Sequence, residues 1–535
     1  QKVPFTTGIL IGIGETRLER LESLHKISEL HLTYNHIQEV IVQNFRAKPN
    51  TLMANASEPS FDELMWTIAM ARLLLPGDIS LQVPPNLNSD NIKQLSQSGI
   101  NDFGGISPVT KDYVNPEAPW PEIEKLNKIT STSNQSLKPR ATLYPKYFND
   151  LDSFSSPRIS SQLLQITDSQ SLIRSDFWRS GISNKIPSYP EAIFNSNIRQ
   201  SIDNVEKNPS IENIQQLLET SDNDFKYVTD YANDVKSQIH GSDITFVVNR
   251  NINYTNICSF KCNFCAFSKG RGHDDLRGKP YNISHEEIIR RTNEAVARGA
   301  TEVCLQGGIH PKYSGETYLD IVRAIRSASS SVHIHAFSPL EIDHGRKTLN
   351  ISAKEFLVEL KKAGLNSLPG TAAEILHDEI RAIICPDKLT TKQWIEIIET
   401  AHSVGLPTTS TMMFGHIEKT AHVAHHLLEL LNLQKKTNGI TEFVPLPFVA
   451  DEAPIFRRGQ ARPGPTFKET ILVHSVARIL FQGQINNIQG SWVKMGLPGL
   501  KFLLSSGIND IGGVLMNESI TRSAGASFGQ ELRLE

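Results

Sequence analysis

The chain has 535 residues, more than one hydrophobic core normally serves, so two or more domains are expected. A hydrophobic content of 39% and a charged content of 21% are ordinary for a globular protein, and a net charge of −3 argues against nucleic acid as a bulk partner. No apolar run approaches the length needed to span a bilayer, and the opening "QKVPFTTGILIGIGETRLER" lacks the basic-then-apolar layout of a signal peptide.

The opening also has no initiator Met, which points to a missing N-terminus. Five cysteines, three of them within eight residues, do not make a secreted disulfide framework, so a reducing cytoplasm is the expected compartment.

In chain order, "TTGILIG", "EVIVQNF", "ISLQVPP" and "DFGGIS" read as short strands separated by helical patterns. Strand–helix alternation with apolar strands predicts βα units and a parallel sheet buried on both faces. "GIGET" at Gly12 lacks the spacing and the Lys of a phosphate loop and reads as a βα turn. Residues 121–209 contain a stretch rich in Ser, Asn and Pro and read as tail and linker. Residues 210–242 read as a lead-in of two helices.

The remainder, 243–535, repeats the strand–helix pattern in full. "DITFVVN", "EVCLQGG", "VHIHAFS", "LNSLPGT", "TTSTMMF", "EFVPLPF", "NNIQGSW" and "DIGGVL" are eight strand candidates, which fits a (β/α)8 barrel. The helix after the first strand starts at Ser284, with Glu287 placed to complete a capping box.

The two stretches are related. "SGINDFGG" at Ser98 matches "SGINDIGG" at Ser506, and Phe61, Glu63, Ala71, Arg72, Gly77 and Ile79 match Phe467, Glu469, Ala477, Arg478, Gly483 and Ile485. Residues 4–110 therefore read as a divergent copy of 406–516, and residues 1–120 as the C-terminal half of a second barrel whose first four strands are absent. Such a half barrel would expose a sheet edge.

Three cysteines follow the first strand of the complete barrel, in "NRNINYTNICSFKCNFCAF". That is the C-terminal mouth, where barrel enzymes keep their sites. Thiolates Cys258, Cys262 and Cys265, spaced C-x3-C-x2-C, can wrap one face of a cubane four-iron cluster. Such clusters ordinarily take four cysteines, so three leave one iron open. Phe264 would shield the cluster from water. A structural zinc knuckle is the competing reading and would need a fourth ligand. "CLQGGIHP" after the second strand supplies Gly307 and Gly308, where backbone can approach a ligand closely.

This spacing, with the aromatic before the third cysteine, resembles the radical S-adenosylmethionine superfamily. The resemblance implies a 4Fe–4S cluster on Cys258, Cys262 and Cys265 whose open iron chelates S-adenosylmethionine. It also implies cofactor contacts from Phe264, Gln306, Gly307, Gly308, Thr371 and Glu374. More narrowly, "HIHAFSPLEI", "SLPGTAAEIL", "TTSTMMFGH" and "NIQGSWVKMG" resemble the tyrosine 4-hydroxyphenyl transferase half of the FO synthase family, over residues 210–535. The N-terminal "PFTTGILIGIGET" and "HIQEVIVQNFRAKP" are similar to the C-terminal part of the deazariboflavin synthase to which that transferase is fused in some organisms.

What the family implies is a radical transferase. A one-electron donor such as flavodoxin or ferredoxin reduces the cluster, and S-adenosylmethionine splits into methionine and a 5'-deoxyadenosyl radical. The radical takes hydrogen from L-tyrosine, whose 4-hydroxybenzyl fragment joins 5-amino-6-(D-ribitylamino)uracil with release of 2-iminoacetate. The product leads to 7,8-didemethyl-8-hydroxy-5-deazariboflavin, and no nucleic acid or membrane partner is expected. Polar residues at strand ends are the natural substrate contacts. The catalytic candidates are His333, His335 and Glu341, with Ser338 beside them, and His416. His333 and His335 share a face of their strand.

An aminofutalosine synthase-like enzyme of menaquinone synthesis shares "HAFSP"-like and "GTAAE"-like segments, but the fused synthase fragment decides against it. A decayed barrel serving as a zinc-knuckle scaffold is the alternative from another class. Cys304 and Cys385 read as small core residues. His422, His425 and His426 have metal-ligand spacing, but with no carboxylate arranged beside them they read as a surface helix face. "GRGHDD" at Gly270 reads as a mobile loop.

Overall fold

The computed structural model describes residues 2–133, 135–182, 185–190, 196–268, 279–514, 516–529 and 531–532. The chain divides into two compact units, 1–157 with 171–173, and 158–170 with 174–535. No helix of the described residues is long and apolar enough to cross a membrane.

The first unit carries β1 (Phe5–Ile11), β2 (Ile37–Asn44) and β3 (Ser80–Gln82), all parallel in that order, and a parallel bridge from Gln82 to Asp102 adds a fourth position. The helix Arg17–Tyr34 follows β1 because Thr16 and Glu19 form a reciprocal capping box, and it stops at Asn35 in the left-handed region. "GIGET" is a βα turn, in which the Glu15 carboxylate accepts the Gly12 and Ile13 amides. Ile11, Val40, Val42, Leu64, Ile68 and Leu81 are fully buried or nearly so in its core. The segment expected as tail and linker is largely packed. Helix Ile123–Ser131 buries Leu126 in this core, and Tyr144 is buried with its hydroxyl 2.6 Å from the Glu39 carboxylate. Anchors of this kind are single residues without periodicity, so hydrophobic patterning does not reveal them.

In the second unit the strands are β4 (Thr245–Val247), β5 (Asn249–Asn253), β6 (Glu302–Gln306), β7 (His333–Ala336), β8 (Thr408–Phe414), β9 (Ile440–Pro447), β10 (Asn487–Ile488) and β11 (Asp510–Gly513). Every pairing among them is parallel. β5 pairs with β6 and β6 with β7; bridges at Ser367 and Leu368 carry the ladder to β8; β9, β10 and a Gln489–Asp510 bridge lead to β11; and β11 pairs with β4. β4 and β5 together supply the first strand, so the ladder returns to its start. Helices His285–Ala297, Gly315–Ala328, Thr391–Ser403, Thr420–Thr437 and Phe467–Leu480 alternate with the strands. Ser284 caps the first of these through the Glu287 amide, but the Glu287 side chain turns to Arg290 and Arg291 instead of closing a box.

The strands are not continuously apolar. On β6 and β7, Val303, Leu305, Ile334 and Ala336 face the helices and are fully buried, whereas Glu302, Cys304, Gln306, His333 and His335 alternate with them and stay partly exposed. β5 is polar at Asn249, Asn251 and Asn253. Glu302 on β6 acts electrostatically on Glu442 across the ring on β9. The inner face therefore lines a polar lumen, unlike the side-chain-filled interior usual for such barrels.

The two units share local contacts at matched positions. Arg72 Nε donates to the Gly99 carbonyl (2.7 Å) and its Nη2 to Asn101, while Arg478 Nε donates to the Gly507 carbonyl (2.6 Å) and its Nη2 to Asn509. Gly99 and Gly507 both need positive φ, 115° and 111°. Glu15 and Glu418 each accept two backbone amides of the turn after a strand.

Candidate functional site

The cysteine loop leaves β5 at the C-terminal mouth and is held by its own backbone. Asn263 is the pin: its amide donates to the Ile384 carbonyl (2.8 Å), its side chain to Ile383 (2.6 Å), and its carbonyl accepts from Ile455 (2.8 Å). Cys258 Sγ accepts the Ile309 amide at 3.3 Å and Cys265 Sγ the Ser268 amide at 3.4 Å. Amides aimed at sulfur stabilise a thiolate or a metal-bound sulfur. Burial opposes that charge, raising the Cys258 thiol and pushing Cys262 up to about 12, so with no cation bound these two thiols are protonated near neutrality.

The glycine pair after β6 lies against this loop. A Cβ on Gly308 would come within 2.4 Å of the Ile257 carbonyl and 2.9 Å of Cys258 Cβ, and one on Gly307 would enter the Tyr254 ring. These glycines are required by contact with the loop itself. Gln306 ends β6, where its carbonyl accepts the Tyr254 amide.

The segment after the fourth strand packs beside the cysteine loop. Ala372 and Glu374 have positive φ, 60° and 49°, backbone that non-glycine residues adopt at a cost and that clusters at functional sites. Glu374 pairs with Lys388 at 2.7 Å, both nearly buried. Lys388 Nζ also stands 5.2 Å from the Phe264 ring centre. Desolvation works against its charge, but Glu374, together with Cys262 whenever that sulfur is a thiolate, outweighs it and holds the ammonium well above its ordinary pKa. Lys388 is thus a permanent cation beside the cysteine loop, and "CPDKLTT" carries no motif that marks it. Thr371 is held through its carbonyl by the Trp394 indole N–H (3.1 Å).

The catalytic candidates do not converge. His333 Nε2 and His335 Nδ1 both lie 2.7 Å from Ser367 Oγ inside the lumen. Burial pulls His335 down to about 3, so it is neutral at physiological pH. Glu341 is committed elsewhere. It closes the capping box of helix Pro339–Leu349 with Ser338 and accepts the buried Tyr254 hydroxyl. His416 is wholly buried, with both ring nitrogens used inside its own turn, by the Ile417 amide and the Met413 carbonyl. Glu341 thus holds Tyr254 and the start of its own helix, and His416 holds its own turn. Strand-end position does not single out the lumen acids Glu302, Glu442 and Asp510, although lining up the two SGIND stretches sets Glu39 against Glu442 and Asp102 against Asp510 and so marks two of them.

Cys385 is buried as expected, whereas Cys304 lines the lumen. His426 is a core residue that accepts the Leu376 amide. The expectation of no carboxylate near this histidine group is corrected. His377 and Glu379, brought up by the preceding segment, lie with His422 in one cluster. The "GRGHDD" stretch lies outside the described residues.

Known proteins resemble this chain over nearly its whole length. Residues 252–431 match the radical SAM superfamily, and residues 437–532 match the family described as the CofH/MqnC C-terminal region. FO synthase of Mycobacterium leprae is 40% identical, over 98% of this chain and 66% of its own length, and that of Nocardia farcinica 41%, over 98% and 67%. The chain thus spans about two thirds of those relatives. The 5-amino-6-(D-ribitylamino)uracil–L-tyrosine 4-hydroxyphenyl transferase of Methanothermobacter thermautotrophicus is 47% identical, over 58% of this chain and 84% of its own length. Among solved structures, methylornithine synthase aligns with a TM-score of 0.46 at 16% identity, covering 59% of this chain and 86% of that one.

Proposed function

The chain belongs to the FO synthase family, and on that premise we propose that residues 243–535 join the 4-hydroxybenzyl group of L-tyrosine to 5-amino-6-(D-ribitylamino)uracil. The observation that carries the reading is the mouth: three thiols on one loop pinned by Asn263, two of them met by amides, with Gly308 pressed against that loop. This donor set fits a 4Fe–4S cluster with one open iron, and bound there with S-adenosylmethionine it supplies a 5'-deoxyadenosyl radical at the expense of one electron from a flavodoxin- or ferredoxin-like donor.

The chain's own residues then do three things. Gly307 and Gly308 let the end of β6 pack against the cysteine loop, and Glu374, fixed by Lys388 beside that loop, would accept hydrogen bonds from S-adenosylmethionine. The lumen below takes the polar substrates and excludes bulk water from the radical. His333 and His335, neutral and linked through Ser367, offer hydrogen bonds without charge.

For residues 1–120 we infer a divergent second copy, the C-terminal half of a deazariboflavin synthase-type barrel, with 210–242 as helical lead-in to the complete one. The matched Arg72 and Arg478 networks and the matched Glu15 and Glu418 turns support it.

An anaerobic assay of this chain with reductant, S-adenosylmethionine, tyrosine and the ribitylaminouracil tests the reading. The coupled hydroxybenzyl adduct should accumulate without fluorescent deazaflavin. A colourless protein with stoichiometric zinc would sink the radical chemistry. Lys388→Met should make the bound cluster harder to reduce, because a cation beside it is removed. 5'-Deoxyadenosine formation should then fall by about tenfold or more, with iron content retained. An unchanged midpoint potential in that variant would refute the role of Lys388.

A further inference from the structure

We propose, resting on the transferase reading above, that the N-terminal end of the barrel lumen is a polyol subsite. There Glu302, Glu442 and Asp510, with His333, His335 and Ser367, receive the hydroxyls of the acceptor's ribityl chain. The three acids come from three strands and meet at one depth. Glu302 opens β6, Asp510 opens β11, and Glu442 lies near the start of β9. Burial raises all three above the ordinary carboxylate range, and the three act on one another: Asp510 and Glu302 both push Glu442 up further. Among the described residues no lysine or arginine forms an ion pair with any of them. Asn249 donates to Glu302 at 3.3 Å, and Thr245 and the Gly512 amide serve Asp510. Buried acids without a cation destabilise a fold unless something else satisfies them.

The first unit shows what satisfies such a pair. Glu39 and Asp102 hold the positions that match Glu442 and Asp510 in the repeat. There the chain supplies the donors itself. Arg140 donates to Asp102 (2.5 Å) and to Glu39 (3.3 Å), and the Tyr144 hydroxyl lies 2.6 Å from Glu39 and 3.1 Å from Asp102. In the second unit the same pair stays partly exposed on the inner face with no such Arg or Tyr donor beside it among the described residues, a gap that a ligand rich in hydrogen-bond donors would fill. Carboxylates exclude phosphate and other anions, and the neutral His333–Ser367–His335 row can both give and accept hydrogen bonds, as a row of hydroxyls requires. The ribityl chain is also the part of either substrate that carries no reacting atom. It can therefore lie far from the mouth, and Glu442 to Pro447 spans ~17 Å of strand.

The test is equilibrium binding to the cluster-loaded full chain with S-adenosylmethionine and no reductant. The ligands are 5-amino-6-(D-ribitylamino)uracil and 5,6-diaminouracil, which lacks the polyol. The wild type should bind the ribityl compound at least about tenfold tighter. The shape-preserving pair Glu442→Gln with Asp510→Asn should bring the two ligands within about twofold of each other. Equal affinities in the wild type, no binding of either ligand, or a preference that survives in the double variant would overturn the subsite. So would one equivalent of divalent metal retained by a variant with all three loop cysteines replaced by alanine and lost with His335→Ala, because Glu302, His333 and His335 would then be cation ligands. Failure of the transferase reading shows separately, as a ribityl preference in binding with no tyrosine adduct on turnover.

Discussion

Cys262→Ala is expected to remove the iron and the cleavage of S-adenosylmethionine together, with 5'-deoxyadenosine formation down by at least about a thousandfold, ~4 kcal/mol of transition-state stabilisation. With two thiolates left, one more iron loses its protein ligand, and a cluster so held is not retained. The loop should keep its shape, because Asn263, not the cysteines, ties it to residues 383–384 and 455. The natural control is Cys385→Ser. That thiol is buried within electrostatic reach of the same Lys388 but lies outside the loop, and its loss should leave iron content and colour in place. Iron analysis, the visible spectrum and chromatography of cofactor products after anaerobic reconstitution decide the matter. A Cys262→Ala protein that still holds iron and forms 5'-deoxyadenosine would remove the cysteine loop from the chemistry.

The contrast between these cysteines shows what patterning conveys. Spacing and place in the barrel identify Cys258, Cys262 and Cys265 because cluster ligation needs three thiolates on one short loop, a local requirement. The strand–helix alternation is legible for a similar reason: the strand Thr408–Phe414 has the bounds its pattern gives, and the helix His285–Ala297 starts from Ser284 as its N-cap. Lys388 is illegible because its role depends on residues far away in sequence, Cys262 and Glu374, meeting it in space. Position alone does not assign a role. Glu341 and His416 sit at strand ends, as catalytic residues do, yet the capping box of Ser338 and the turn of Glu418 consume them. The polar lumen was half legible. The two acids matched by the paired stretches are visible in the sequence, but only the closed ring shows that Glu302, Glu442 and Asp510 act on one another.

Arg478→Ala should be the most destabilising single change away from the mouth, lowering the opening free energy of β10 and β11 by about 3–5 kcal/mol. Its guanidinium is 0% exposed and bonds the Gly507 and Asn486 carbonyls and the Asn509 side chain. Asn509 Oδ1 in turn accepts the Ile488 amide and its Nδ2 reaches Asn487. Truncation leaves buried acceptors without donors, each costing ~1–3 kcal/mol, and frees the turn that needs Gly507 in its left-handed conformation. The matched Arg72→Ala is the internal comparison. Arg72 makes the same bonds to Gly99 and Asn101 but is partly exposed, so water can replace what the side chain supplied, and the cost should be about 1–2 kcal/mol. Hydrogen exchange of the Ile488 and Gly490 amides in one unit and of Leu81 in the other reads the two effects separately in the full chain. Equal losses in both units would mean that burial does not set the cost. If the difference holds, the arginine that closes the ring also fixes the depth of Asp510, the residue next to Asn509, and with it the floor on which the acceptor is proposed to stand.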